Sequence, residues 1–207
     1  QDVLPLEWTL LDAMKPNGGW TILGDMNQRR SDYALHSWTR VANELGILDD
    51  EGRTPLRHLE RGYRSTQPII QYANRLLPRS ERAMLSLQQD GDAPDVTRVP
   101  TRDLAVAVAA RAEVLAARYS AGTVAVISVS PDDVLQVLRR TGWLSTRSPR
   151  TLAREGLELT VLYPDDARGL EFDAVVVVEP TSFAPNLGRL GPLYTALSRA
   201  NRTLSVV

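Results

Sequence analysis

Residues 174–178 read Ala174-Val175-Val176-Val177-Val178, and this run decides the fold. Five consecutive small or β-branched apolar residues without polar alternation are typical of a central strand that is buried on both faces of a parallel sheet. Upstream, residues 123–128 (TVAVIS) have a similar character and predict a second strand of the same sheet.

Helices and strands alternate on both sides of these two strands. The further predicted helices are 104–119, 131–140 and 194–200, and the further predicted strands are 157–162 and 203–207. Thr101 and Ser130 are the predicted N-caps of the first two helices, because their hydroxyl groups can accept from free backbone N–H groups. Alternation of this kind implies right-handed crossovers and a three-layer α/β fold.

The first 80 residues have a less regular pattern. The predicted elements are a helix over 4–15, a strand over 20–23, a helix over 32–46 and a helix over 69–77. Gly46 is the expected C-terminal stop of the third element, and Pro68 and Pro78 bracket the fourth.

Composition excludes several classes of protein. The 207 residues are 43% hydrophobic and 24% charged, with a net charge of −1, which is typical of a globular protein without a basic field for polyanions. Of the basic residues only Lys15 is a lysine, and its neighbours do not form a phosphate-binding P-loop. With no cysteine and only His36 and His58, a metal site is not expected. The apolar runs are far shorter than the ~20 residues of a membrane helix, so we expect a cytoplasmic protein without a membrane partner.

Four segments carry polar residues at the ends of predicted strands or at helix starts, where ligands bind in doubly wound α/β folds. They are Gly24-Asp25-Met26-Asn27-Gln28, Tyr63-Arg64-Ser65-Thr66, Gly169-Leu170-Glu171-Phe172-Asp173 and Tyr194-Thr195-Ala196-Leu197-Ser198-Arg199-Ala200. Each alone is weak evidence, since a Gly-Asp pair is usually a turn and an arginine on a helix is usually solvated.

In this order, the four segments resemble motifs III, IV, V and VI of the UvrD/Rep-type superfamily 1 helicases, and Gln1-Asp2 is similar to the end of motif II. The resemblance implies that residues 1–60 are the C-terminal end of a first RecA-like lobe (1A). Residues 61–207 would be the second RecA-like lobe (2A), a parallel sheet flanked by helices. The predicted elements of one lobe already fill the chain between Arg64 and Gly169, so an inserted 2B subdomain is not expected.

The resemblance also implies the ligand and the site. ATP would bind with Mg²⁺, whose ligands, like the P-loop lysine, would lie upstream of Gln1, so the fragment alone is expected to be inactive. Arg64 and Arg199 would act on the γ-phosphate as arginine fingers do, and Gln28 would sense that phosphate or its attacking water. Glu171 would bind the sugar, and Gly169 would allow close backbone approach. The implied nucleotide-binding residues are Gly24, Asp25, Gln28, Arg64, Gly169, Glu171 and Arg199.

Departures from the family pattern narrow the interpretation. Asp165 stands where the family has a DNA-contacting histidine, and Asp166 beside it would also repel a phosphate backbone. The base-stacking tryptophan after motif III is absent from its position, since Trp38 comes later and is expected in the core. These features resemble the HelD branch, whose members act on RNA polymerase.

Three hypotheses remain open. The first is the C-terminal part of a HelD-like ATPase, whose partners are its missing N-terminal lobe and core RNA polymerase. The second is a UvrD-type DNA helicase or translocase acting on single-stranded or duplex DNA in repair or replication. The third is a non-catalytic RecA-like docking module, against which the presence of both Arg64 and Arg199 argues.

Overall fold

The valine run forms an inner strand of a seven-stranded sheet. This strand, β8 (Phe172–Val177), pairs in parallel with β4 (Val124–Ile127) on one side and with β9 (Ala200–Val206) on the other. Val175, Val176 and Val177 are completely buried. The prediction of an α/β fold built on a mostly parallel sheet is therefore confirmed.

The computed structural model describes residues 3–14, 19–29, 33–79, 82, 85–183 and 190–207. Gln1-Asp2 and Lys15, which entered the sequence interpretation, lie outside these residues. The chain divides into two units, Gln1–Leu59 with Ala184–Pro192, and Glu60–Phe183 with Leu193–Val207. That the first 60 residues are the end of a lobe 1A stays a prediction.

The remaining strands of the large sheet extend it to both sides. They are β3 (Asp95–Val96), β5 (Leu144–Ser145), β6 (Thr151–Arg154) and β7 (Leu157–Leu162), and the order is β3-β9-β8-β4-β7-β6-β5. The first five strands in this order are parallel, whereas β6 and β5 continue the sheet in antiparallel pairing. The sequence pattern did not predict this antiparallel extension.

Helices cover both faces of the sheet. On one face lie α3 (Gln67–Ala73) and α6 (Leu190–Leu197), packed on Ile127, Val175 and Val177. On the other lie α4 (Leu104–Arg118) and α5 (Pro131–Arg140), which pack on the side chains that alternate with these. The three layers arise because successive residues of each central strand point to opposite faces, and both sets are apolar.

The helix starts predicted from the sequence are confirmed in part. Pro131 occupies the first turn of α5 and Pro68 that of α3, as predicted. Ser130 is the N-cap of α5, but its side chain caps no N–H group. Thr101 is not the N-cap of α4, because residues Thr101–Asp103 form a 3-10 turn that precedes the helix.

A second, two-stranded sheet stands apart from the large one. It consists of β1 (Arg61–Gly62) and β2 (Leu85–Ser86), paired in parallel with Arg61 opposite Leu85. Between Arg64 and Gly169 the described residues contain only strands of the two sheets, the helices that cover them and their connections.

The first unit contains α1 (Pro5–Ala13) and α2 (Trp38–Glu44), which share a small core around Trp8 and Val41. Trp38 packs partly buried against this core, as predicted. The helix expected over 32–46 begins only at Trp38, because Ser37 accepts from the Arg40 N–H at 3.3 Å and caps it there. It stops as predicted at Gly46, which has a φ of +63°.

The predicted strand over residues 20–23 is wrong. These residues form no strand, and no other strand is present among the described residues of this unit to supply hydrogen-bond partners.

None of the helices in the described part of the chain combines the length and the apolar character that crossing a membrane requires.

Candidate functional site

Residues from three of the four motifs meet in the second unit. Arg64, from motif IV, forms an ion pair through its Nε with Oε2 of Glu171, from motif V. Arg199, from motif VI, donates from Nη1 to the carbonyl oxygen of Leu170 at 3.0 Å. Two arginines that are far apart in sequence therefore approach the same short segment, residues 170–171.

Backbone hydrogen bonds join the same motifs. The Thr66 N–H donates to the carbonyl oxygen of Asn201 at 3.1 Å, and the Phe172 N–H donates to that of Arg199 at 3.0 Å. Phe172 lies opposite Ala200 in the register of β8 and β9. The positions of Arg64, Glu171 and Arg199 are thus tied to the sheet.

This cluster lies at the amino ends of β8 and β9, because Glu171 and Arg199 each directly precede a strand. The sequence predicted polar groups at strand ends or at helix starts, and these two residues lie at the amino ends of their strands. The chain leaves the carboxyl end of β7 at Leu162 and crosses to the amino end of β8 before it reaches Glu171.

Arg199 lies in the turn after α6, where it is 5% exposed. The helix predicted over 194–200 ends at Leu197, so Arg199 is not helical. Besides its bond to Leu170, its Nε donates to the Thr195 carbonyl oxygen at 3.1 Å and its Nη2 to Ser198 Oγ at 3.3 Å. These hydrogen bonds fix the orientation of a buried guanidinium group.

The Arg64–Glu171 pair is much more open to solvent. The two side chains are 45% and 49% exposed, and ion pairs at such positions contribute little to stability because water screens them. The Arg64 guanidinium can therefore exchange a carboxylate for a phosphate at small cost.

Gly169 precedes this cluster with a φ of +71°, in the left-handed region that favours glycine. A Cβ added here would meet no atom within 4 Å among the described residues, so the glycine is required by the turn rather than by crowding. That Gly169 lets a nucleotide approach stays a prediction.

The motif III residues lie in the first unit and form a small hydrogen-bonded turn. Asp25 Oδ1 accepts from the Asn27 N–H at 2.9 Å, and Asp25 Oδ2 accepts from Gln28 Nε2 at 2.8 Å. Asp25 thereby caps the 3-10 turn Met26–Gln28 and orients the Gln28 amide. Gly24 directly precedes Asp25. Both residues belong to the first unit, whereas Arg64, Glu171 and Arg199 belong to the second.

The acidic pair of the motif V region follows β7, at the carboxyl edge of the sheet. Asp165 is 60% exposed and pairs with Arg168 Nε at 3.4 Å, and Asp166 is exposed. Two residues before Asp165 in sequence is Tyr163, and the Arg150 guanidinium stacks over its ring at 4.5 Å from the ring centroid. Arg150 Nη1 also lies 3.8 Å from Asp132 Oδ1. Among the described residues, no group of three or more His, Asp or Glu side chains could hold a metal ion.

The sequence did not predict the segment that holds the backbone around Arg64, residues 85–88. Ser86 Oγ donates to the Ser65 carbonyl oxygen at 2.5 Å, and Gln88 Nε2 donates to that of Tyr63 at 2.7 Å. The acceptors are backbone groups, which carry no residue-specific signal, and so no sequence pattern could have identified these donors.

The chain is similar to known proteins in its structure. No family model matches the chain, and no curated protein matches it. Among solved structures, the C-terminal domain of a possible DNA helicase from Lactobacillus plantarum WCFS1 aligns with a TM-score of 0.52 and 24% identity, over 70% of this chain and 86% of that one. A helicase from PRRSV aligns over 79% of this chain and 24% of its own, with 18% identity and a TM-score of 0.36, too low to support an argument. This likeness agrees with the mostly parallel, helix-flanked α/β fold of the chain, which matches that of the helicase C-terminal domain.

Proposed function

We propose that this chain is the C-terminal region of an ATP-dependent superfamily 1 helicase-like motor, and that it supplies motifs III to VI to an ATP site shared with a further lobe of the same protein. One observation carries the proposal. Arg64, Glu171 and Arg199, taken from three separate motifs, converge at the amino ends of β8 and β9. Residues with unrelated roles would not be expected to lie together at positions that match three motifs of one family.

The chemistry of the cluster fits a phosphate chain. Phosphoryl transfer is accelerated mainly by positioning and by cations that stabilise charge on the transferred group. Arg199 offers a guanidinium that is already oriented, whereas Arg64 offers one that can leave Glu171 and move. When Arg64 turns to phosphate, the Glu171 carboxylate is free to accept a hydrogen bond from a sugar hydroxyl.

Gln28, in the first unit, would act on the γ-phosphate or on its attacking water. Its amide is oriented by Asp25, and it has one further N–H to donate to a phosphate and a carbonyl oxygen that can accept from a water molecule. The Mg²⁺ that accompanies ATP would be bound by residues of the further lobe.

Asp165 and Asp166 favour a HelD-like motor that acts on RNA polymerase. Two carboxylates at the carboxyl edge of the sheet disfavour the phosphate backbone of DNA, because they oppose the counterion release that drives such binding. The alternative is a conventional DNA helicase or translocase, a role suggested by the name of the Lactobacillus plantarum protein.

The proposal predicts that Arg64→Ala and Arg199→Ala each lower the ATP turnover of the intact motor by about 10²-fold or more, as removal of an arginine finger does. Arg64→Ala is the cleaner variant, because Arg64 is half exposed and its loss should leave the fold intact. Arg102→Ala is the matched control, since Arg102 is 85% exposed on the turn before α4. Turnover would be measured at saturating ATP together with thermal unfolding. Wild-type turnover in Arg64→Ala would exclude an arginine finger and favour a docking module.

A further inference from the structure

The loop that carries Arg64 is held by one short segment of chain. We call residues 62–67 the Arg64 loop and residues 85–88 the clamp segment. Each carbonyl oxygen from Gly62 to Ser65 accepts a hydrogen bond from the clamp segment. We propose that Gln88 and Ser86 of the clamp segment are positioning residues that place Arg64 for ATP hydrolysis, an inference that rests on the proposed function.

Gln88 makes the contact nearest to Arg64. Its side-chain Nε2 donates to the Tyr63 carbonyl oxygen at 2.7 Å and to the Arg64 carbonyl oxygen at 3.1 Å. A primary amide has two N–H groups, so one Gln88 side chain serves both acceptors. The peptide units on either side of the Arg64 Cα are thereby fixed relative to the clamp segment.

Ser86 extends the same support into the protein interior. This residue is 2% exposed, and its Oγ donates to the Ser65 carbonyl oxygen at 2.5 Å while accepting from the Gln88 N–H at 2.9 Å. The Ser86 N–H donates to Gln67 Oε1 at 2.7 Å, at the start of α3. Ser86 therefore orients Gln88 as well as the loop.

The Arg64 loop depends on these bonds because its residues 63–66, between β1 and α3, are neither helix nor strand. Leu87 N–H donates to the Gly62 carbonyl oxygen at 2.7 Å, and Gln67 N–H donates to that of Gln88 at 2.8 Å, so both ends of the loop are joined to the clamp segment as well. The Arg64 side chain is half exposed, and in that case the backbone sets where the guanidinium can reach. A catalytic group misplaced by about 1 Å can cost ~10²-fold in rate.

The test is Gln88→Met in the intact motor, made both in wild type and in Arg64→Ala. Methionine keeps the length of the side chain and removes both N–H donors. We expect a fall in kcat of about 5- to 20-fold with little change in KM for ATP, because Arg64 is displaced but the nucleotide still binds. In the Arg64→Ala background the same change should alter kcat by less than about twofold, since Gln88 acts only through Arg64.

Gln71→Met is the matched control, because Gln71 is exposed on α3 and its side chain makes no hydrogen bond among the described residues. It should retain wild-type kcat. Ser86→Ala provides a second variant, which should lower kcat in wild type and add little to Arg64→Ala.

Each other outcome has a separate meaning. If Arg64→Ala lowers kcat and Gln88→Met does not, the positioning role is wrong while the proposed function stands. If Gln88→Met lowers kcat equally in both backgrounds, Gln88 supports the fold rather than Arg64, and the inference is also wrong. If Arg64→Ala itself has no effect, the proposed function fails.

Discussion

At the scale of single residues, Glu113 on α4 joins three parts of the second unit. Its Oε1 accepts from Trp143 Nε1 at 2.9 Å, from Thr141 Oγ1 at 3.1 Å and from Arg154 Nη1 at 3.2 Å. Trp143 is completely buried, and Arg154 stacks over its ring at 5.0 Å. Glu113 thus satisfies the one polar atom of a large buried side chain.

The pKa of Glu113 is lowered from its ordinary value of 4.5. Burial raises it, but the hydrogen bonds from Trp143 and Thr141 and the charge of Arg154 together outweigh burial. Because the pKa is lower in the folded chain than in the unfolded one, ionised Glu113 stabilises the fold above the unfolded pKa. That contribution is lost as the pH falls through the folded pKa.

We therefore expect Glu113→Gln to lower the free energy of unfolding by about 1 kcal/mol at pH 7. The difference from wild type should begin to shrink as the pH falls below about 4.5, because the unfolded chain then takes up the proton, and it should be lost as the pH falls through the lower pKa of folded Glu113. Urea unfolding across the acid range measures both effects, with Glu158→Gln on the exposed face of β7 as the control. A difference that stays constant with pH would show that the charge of Glu113 contributes nothing.

At the scale of elements, β8 is the strand of the large sheet in which we expect a substitution to lower stability the most. It is paired on both sides and covered on both faces, so Val175 contacts one apolar cluster while Val176 contacts the other. Substitution in such a strand removes apolar contacts and leaves a cavity that packed neighbours fill only in part.

Val176→Ala should therefore lower the free energy of unfolding by about 2–3 kcal/mol. The same change at Val106, which is 61% exposed on α4, should change it by less than about 0.5 kcal/mol. Urea denaturation of both variants makes the comparison, and an equal loss at the two positions would contradict the central placement of β8.

The elements also show what the sequence could predict. Long segments with clear periodicity, such as α4, α5, β7 and β8, were predicted within a few residues, since burial and periodicity are coupled in them. The two-residue strands β1, β2 and β3 could not be, because two residues have no periodicity to detect. The sequence motifs identified Arg64, Glu171 and Arg199. Their meeting at the amino ends of β8 and β9 could not be predicted, because it depends on how the chain crosses between strands.

At the scale of the whole molecule, the choice between polymerase and DNA as partner depends on the charge at the carboxyl edge of the sheet. We expect the intact motor to be retained by core RNA polymerase in a pull-down experiment and to bind single-stranded DNA weakly. Tight, steeply salt-dependent DNA binding without retention by the polymerase would favour the repair helicase.

Asp166→Asn sharpens the same comparison. Removing one carboxylate should raise affinity for single-stranded DNA about two- to fivefold at low salt if this edge meets the phosphate backbone. Asp90→Asn is the matched control, because Asp90 is also exposed and its side chain forms no hydrogen bond or ion pair among the described residues. Equal affinities of the two variants would mean that DNA does not approach this edge.

The two outermost strands of the large sheet have a consequence for behaviour at high concentration. Both β3 and β5 are two residues long, and Asp95 of β3 carries a charge that pairs with Arg111 Nη2 at 2.8 Å. Long, flat, apolar edge strands are templates on which another chain can add a strand and begin to aggregate. Within the described residues, neither β3 nor β5 offers a long template of this kind, so we expect little self-association by strand addition to these two strands.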